Sequence, residues 1–379
     1  MPEATGPDGE NAMKPDEPPR SARVALLGAM FLMATSAIGP GFITQTTQFT
    51  AQLGAAFAFA ILVSVLVDVA IQLNVWRVIG VSGMRAPELG NRVAPGLGHA
   101  LALIVALGGL VFNVGNVAGA GLGLDALLGL PPKWGGALSA AIAVGIFLSR
   151  RAGLAMDRVV VALGFVMIAM TGYVAWVSGP PVGAALRNAV LPDQVDFLAI
   201  TTLVGGTVGG YITYAGAHRL IDAGVHGEGR VAEIARASVV GVLITGLMRA
   251  LLFLAVLGVV AAGVSLSADN PTASAFQAAA GEFGLRVFGL ILWAAALTSV
   301  IGASYTSVSF LASLRPGLDE RRNTLVVAFI VVSTLVFLSA GAAPADRNTS
   351  VETAMKATTS VLRRCSNSGR RLARNDTDV

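Results

Sequence analysis

The chain has 379 residues, 54% hydrophobic and 13% charged, with a mean hydropathy of +0.72. Soluble globular chains carry about 25% charged residues, so this one lacks the polar surface to cover a water-facing globule, and lipid must replace water around most of it. The single cysteine, Cys365, excludes a disulfide framework and a cysteine-built zinc site, and His99, His218 and His226 do not form a metal-ligand spacing. The net charge of +4 reads as the basic excess of loops on one membrane face, not as a nucleic-acid footprint, because no basic stretch is interleaved with aromatics.

Residues 1–22 are rich in Pro, Glu and Asp and lack an apolar core, which predicts a disordered cytoplasmic leader and not a signal peptide. Apolar stretches long enough to span a bilayer follow near 24–53, 55–79, 98–124, 134–150, 155–178, 197–222, 236–264, 284–313 and 322–343. Runs such as AFAFAILVSVLVDVAIQL are continuously apolar and too long for barrel strands. The expected fold class is therefore all-α and polytopic, with about nine transmembrane helices in a domain over 23–343. Basic residues orient it. With the N-terminus inside, the inner loops hold Arg77, Arg85, Arg92, Arg150, Arg151, Arg158, Arg219, Arg230, Arg236, Arg315, Arg321 and Arg322, and the outer loops only Lys133, Arg187 and Arg286. This predicts a multi-pass protein of the cell membrane. Residues 344–379 form a polar basic tail that the same count would place outside. Either a span is miscounted or the chain stops before its last helices, and the abrupt change in composition favours the second.

Two stretches carry interruptions. The first reads ATSAIGPGFITQTTQFTAQLG, where Gly39-Pro40-Gly41 opposes an ordinary helix and a polar run, including Thr44 and Gln45, follows. The second reads TTLVGGTVGGYITYAGAHRLIDAG, with Gly205-Gly206 and Gly209-Gly210. A broken helix in lipid exposes backbone groups and is tolerated where it lines a cavity. Breaks in helices one and six, five helices apart, predict an inverted repeat with a central binding site. The alternative is a pair of simple kinks.

The run GPGFITQTTQFTAQLGAAFAFAILVSVLVDVAIQ resembles helices one and two of the NRAMP divalent-metal transporters, whose pattern begins D-P-G-N; Pro40, Gly41, Gly54 and Gln72 match it. LVGGTVGGYITYAGAH resembles the sixth helix, matching at Gly205, Thr207, Val208 and Tyr214, and NVGNVAGAGLGLDALLGLP the third, at Gly119, Gly129 and Pro131. The resemblance spans roughly residues 24–310 and implies a LeuT-like inverted repeat with discontinuous helices one and six, its second half incomplete here. It also implies where metal ligands would stand. The Asp and Asn of the first motif are here Gly39 and Phe42, the sixth-helix Met is Gly209, its neighbouring His is Tyr211, and the helix-three acids are Asn113 and Asn116. A dication leaving water needs neutralising or soft ligands, and proton coupling needs a titratable group, so ordinary proton-coupled metal import is not expected.

Asp68 and Arg249 lie mid-helix, where each must face the interior and find a partner. They read as a gating or coupling pair, or as a structural salt bridge. His218, near a helix end, reads as solvated or as a titrating group. Ser304, Tyr305, Thr306, Ser307 and Ser309 read as a cavity lining or as helix-helix glue. The chain has no G-x-S-x-G, P-loop or H-E-x-x-H motif, so neither an enzyme nor a cofactor is expected.

The leading expectation is a secondary transporter or facilitator working by alternating access. Its site would be Gly39, Pro40, Gly41, Phe42, Thr44 and Gln45 against Gly206, Gly209, Gly210 and Tyr211. A metal cation is the substrate the resemblance implies. A small polar organic solute, stacked by Phe42, Tyr211 and Tyr214 and held by helix termini, is the alternative. A non-transporting sensor or scaffold is the third reading. Partners are the bilayer and the solute, with no nucleic acid.

Overall fold

A computed structural model describes residues 20–149, 152–267, 270–314 and 317–340. Most of the expected leader, the whole tail over 344–379, and Arg150, Arg151 and Arg315 lie outside the described residues. Among the described residues there is no strand, and each of the nine apolar stretches is a helix or a helix pair.

The first stretch is α1 (Arg20–Ala37) and α2 (Pro40–Leu53). A short turn leads to α3 (Phe57–Ser82), and α4 (Ala86–Val93) precedes α5 (Leu97–Leu128). Then come α6 (Pro132–Leu148), α7 (Ala152–Val177) and α8 (Val182–Val190). The interrupted sixth stretch is α9 (Phe197–Val208) and α10 (Ile212–Asp222). The last are α11 (Val231–Ala261), α12 (Pro271–Ala312) and α13 (Arg322–Ala340). Seven helical runs among the described residues are long and apolar enough to cross a bilayer, and the apolar helices Arg23–Ala37 and Pro132–Leu148 are shorter. Two features escape an apolar count. The helices α4 and α8 are too short to span, and α12 starts at Pro271 rather than near residue 284, bending where Ala280 and Gly281 leave helical geometry.

The helices sort into two groups. One contains α1, α3, α9, α10 and α11; the other contains α5, α6, α12 and α13; α7 touches both. With small residues at their contacts, the backbones of α5 and α12 approach closely, as lipid-embedded helices require. The most apolar stretch of α12 is 89% buried, against 17% in the run containing α13, so α12 is the central post and α13 a peripheral helix. Trp76 on α3 is fully buried and donates Nε1–H to the Thr213 carbonyl at 2.8 Å, which fastens α10 to α3. The starts of α1, α5, α7, α11 and α13 share one end of the bundle with the last turns of α3, α10 and α12. We refer to this as the near end.

Candidate substrate site between two helix breaks

The first interruption is narrower than the sequence suggests. Pro40 and Gly41 open α2, so only Ile38 and Gly39 are non-helical. Proline suits a first helical position because that N–H has no intrahelical partner. Each freed carbonyl at the end of α1 has a partner. Thr35 O accepts from Ser299 Oγ at 3.0 Å, Ser36 O from the Tyr211 hydroxyl at 3.4 Å, and Ala37 O from Gly39 N–H at 2.9 Å. Ser299 belongs to α12, so the opposite helix group holds the break open.

In the second stretch the two glycine pairs differ. Gly205 and Gly206 remain inside α9, and the break falls at Gly209, Gly210 and Tyr211. Gly210 has φ +59, the left-handed region where glycine is at ease. At Gly209 a Cβ would stand 2.1 Å from the Gly205 carbonyl oxygen. The two breaks face each other, with the Tyr211 side chain reaching from one to the other.

Polar groups and bare glycines flank the breaks. Side-chain positions at Gly41, Gly205 and Gly210 would meet no atom within 4 Å. Gly41, Thr44 and Gln48 form an exposed stripe on α2, unlike the apolar surfaces that lipid-facing helices present, whereas the exposed face of α9 begins with Phe197 and Leu198 before Thr201 and Gly205. Gln45 Oε1 lies 3.1 Å from the side-chain position of Gly206 and has no hydrogen-bond partner. Asn116 of α5 is buried, its Oδ1 3.4 Å from the side-chain position of Gly39, and its amide stands beside the Tyr211 hydroxyl. Asn113 sits apart, donating Nδ2–H to Ser304 Oγ at 3.1 Å and Ser333 Oγ at 2.8 Å. Among the described residues, no group of three or more His, Cys, Asp and Glu is placed to hold a metal ion.

The mid-helix charges come together without direct contact. Asp68 and Arg249 are 1% and 2% exposed and form no ion pair within 4.0 Å; Asp68 Oδ1 and Arg249 Nε and Nη2 are unpartnered. The Arg249 guanidinium lies 4.2 Å from the centre of the Phe42 ring, in the first turn of α2, and Asp68 sits beside Thr207 of α9. The tight salt bridge is thus not formed, and Phe42 covers the guanidinium. Tyr214 likewise leaves the break, packing its ring 5.0 Å from Phe310.

At the near end a charged network joins the helix groups. Asp222, ending α10, accepts from Arg85 Nη2 at 2.8 Å, from Arg322 Nη1 and from the Tyr305 hydroxyl. Arg85 also reaches Asp319 at 3.1 Å, and Arg219 grips Asp157 of α7 with two hydrogen bonds. Burial opposes the charge of Arg85, but the Asp222 and Asp319 carboxylates more than offset it and raise its pKa above the usual arginine range. His218 is fully buried rather than solvated: Nε2 accepts the Ala86 N–H at 3.2 Å, which leaves Nδ1–H to donate to Ser309 Oγ at 2.9 Å. In the α12 patch, Ser304, Tyr305 and Ser309 therefore bond other helices, whereas the buried Thr306 and Ser307 hydroxyls have no partner.

Residues 30–360 match the family described as natural resistance-associated macrophage protein-like, Nramp. The chain belongs to this family. Two curated relatives are similar along most of their length. An uncharacterized membrane protein of Bacillus subtilis (strain 168), YcsG, is 55% identical over 316 residues, covering 83% of this chain and 78% of that protein. An uncharacterized membrane protein of Haemophilus influenzae is 54% identical over 319 residues, covering 84% and 80%. Among solved structures, a mutant of the manganese transporter of Eremococcus coleocola superposes with a TM-score of 0.68 at 19% identity, over 91% of this chain and 77% of that one. The Nramp architecture, a LeuT-like repeat interrupted in helices one and six, accounts for the two breaks and their spacing.

Proposed function

We propose that this Nramp protein is a secondary transporter or facilitator that carries a small polar organic solute through the gap between the two helix breaks. The near end is cytoplasmic in this reading, because the nine described arginines expected on inner loops, Arg77 to Arg322, belong to that end. Transport proceeds by alternating access. The group containing α1, α3, α9, α10 and α11 rocks against α5, α6, α12 and α13, and the Asp222 network closes the cytoplasmic side while the stripe on α2 faces outward.

The observation that carries the reading is the chemistry between the breaks. It consists of amides, hydroxyls and helix ends, with Asn116 beside the Tyr211 hydroxyl and Gln45 Oε1 buried and unpartnered. Such groups are costly to bury unless something completes their hydrogen bonds. A manganese transporter of the same fold makes a divalent cation the family-level substrate. A dication here would meet Gly39, Phe42, Gly209 and Tyr211 where the family resemblance implies ligands, and among the described residues no cluster of three or more His, Cys, Asp and Glu to hold it. Uptake into proteoliposomes, measured with manganese, iron(II) and a panel of small polar organic solutes, tests the reading. Uptake of an organic solute supports it. Uptake of metal alone restores the family substrate, and uptake of nothing leaves a sensor or scaffold.

A further inference from the structure

We propose that Asp68, Arg249 and Phe42 form a spring that opposes the near-end network: with the near end closed, Phe42 holds the two buried charges apart, and when it opens they pair. The inference rests on the alternating-access part of the reading above and not on which solute is carried. The two charges stand on a fixed frame. The helices α3 and α11 run antiparallel and pack closely where Gly246 meets Val65, a side-chain position at Gly246 lying 2.9 Å from Val65 Cγ2. Asp68 lies three residues beyond Val65 and Arg249 three beyond Gly246, in opposite directions along the two axes, so their backbones are offset by about 9 Å. An extended arginine side chain spans such an offset, yet the guanidinium turns to the Phe42 ring, 4.2 Å from its centre. That leaves Asp68 Oδ1 and Arg249 Nε and Nη2 buried without partners, and the ring compensates the cation only in part.

The neighbours of this frame are the parts that move. Phe42 is in the first turn of α2, directly after the first break, and Asp68 sits beside Thr207, in the last turn of α9 before the second. The helix α2 packs on α11 from one group and on α12 from the other, so the groups cannot rock without α2 leaving one of them. Two features decide which. Thr47 Oγ1 shares a 2.8 Å hydrogen bond with Thr272 Oγ1 at the start of α12, which ties α2 to that helix. Phe42 is buried on the side of α2 away from the exposed stripe of Gly41, Thr44 and Gln48, so closing the opposite end over that stripe draws the ring off Arg249. The guanidinium is then free to reach Asp68. Opening the near end thus breaks the Asp222 network and forms the Asp68–Arg249 pair, and the two sets of charges offset each other through the cycle.

The test uses the full chain in lipid nanodiscs, with Cys365→Ser and spin labels on cysteines introduced as Glu228→Cys, just before α11, and Glu320→Cys, just before α13, both exposed at the near end. Double electron–electron resonance reads the distance across that end, in an Asp222→Asn background that weakens the network so that both forms are populated. The double variant Asp68→Asn/Arg249→Gln loses the pair that opening forms and should move the balance towards the closed form about tenfold. Phe42→Leu keeps an apolar side chain but not the ring that holds the guanidinium, and should move the balance about tenfold the other way. Lost packing alone would not shift the two variants in opposite directions, and Phe42→Leu tests the spring even where the double variant fails to fold. An unchanged or more open balance in the double variant overturns the pairing. An unchanged or more closed balance in Phe42→Leu overturns the role of the ring. Alternating access stands in both cases. A single distance in every variant removes the alternating-access reading, and the spring with it.

Discussion

Replacing Asp222 with Asn should unlock the near end. The side chain keeps its shape but loses the charge that Arg85 and Arg322 share. Both arginines are largely buried, at 11% and 14% exposure, and Arg322 keeps unpartnered Nε and Nη2 atoms even with Asp222 intact. After the exchange, the one remaining carboxylate is Asp319, itself 55% exposed and bound to Arg85 alone. Removing one partner of a buried ion pair costs about 3–5 kcal/mol, and the residual hydration here argues for about 3. That cost applies only while the near end is closed, because opening lets water reach both guanidiniums. The balance should therefore move towards the open form by about 100-fold. To read it, Cys365 is replaced by Ser and a cysteine is introduced at Ser309, which is fully buried against His218 in the closed form. A membrane-impermeant maleimide applied from the near end should label it far faster in Asp222→Asn than in the parent. An unchanged labelling rate in a variant that elutes and melts as a folded protein would refute the idea that this network holds the end shut.

Three further outcomes are expected. Gly210→Ala places a side chain at φ +59 and should lower stability by about 1–2 kcal/mol, seen as a lower melting temperature, whereas Gly205→Ala, in a regular helix with free space, should not. Trp76→Phe removes the bond to Thr213 O and should cost about 1 kcal/mol by the same measurement; loss of transport beyond what that destabilisation explains would mean that α10 needs Trp76 for its placement. Asp68→Asn leaves Arg249 buried without a counter-charge and should reduce the yield of folded protein, with Arg249→Gln restoring it in the double variant; additive losses would show that the two residues do not compensate each other.

The membrane architecture was legible because lipid leaves its mark in long apolar runs, and each run became a helix or a broken pair. The breaks were legible too, but not their limits. Two glycine pairs look alike in TTLVGGTVGGYITY, and only backbone geometry separates Gly205-Gly206, which stay helical, from Gly209-Gly210, where φ turns positive. Glycine permits a break without requiring one. Contacts distant in sequence left no such mark. Counting arginines sorts loops by side but does not reveal that Arg85, Arg322 and Tyr305 converge on Asp222. His218 reads as an exposed terminal residue until α12 and the start of α4 close over it. The Ser299 bond to Thr35 O joins residues 264 positions apart, and no local pattern announces it.

The burial of α12 bears on how the surrounding bilayer can influence this protein. A helix enclosed by its neighbours offers lipid almost nothing to grip. Changes in bilayer thickness or lateral tension must first act on the periphery, on helices such as α13, and reach the central post only as forces relayed through the protein's own side chains. Bilayer composition should then tune how easily the outer helices tilt while leaving the axis they tilt around untouched.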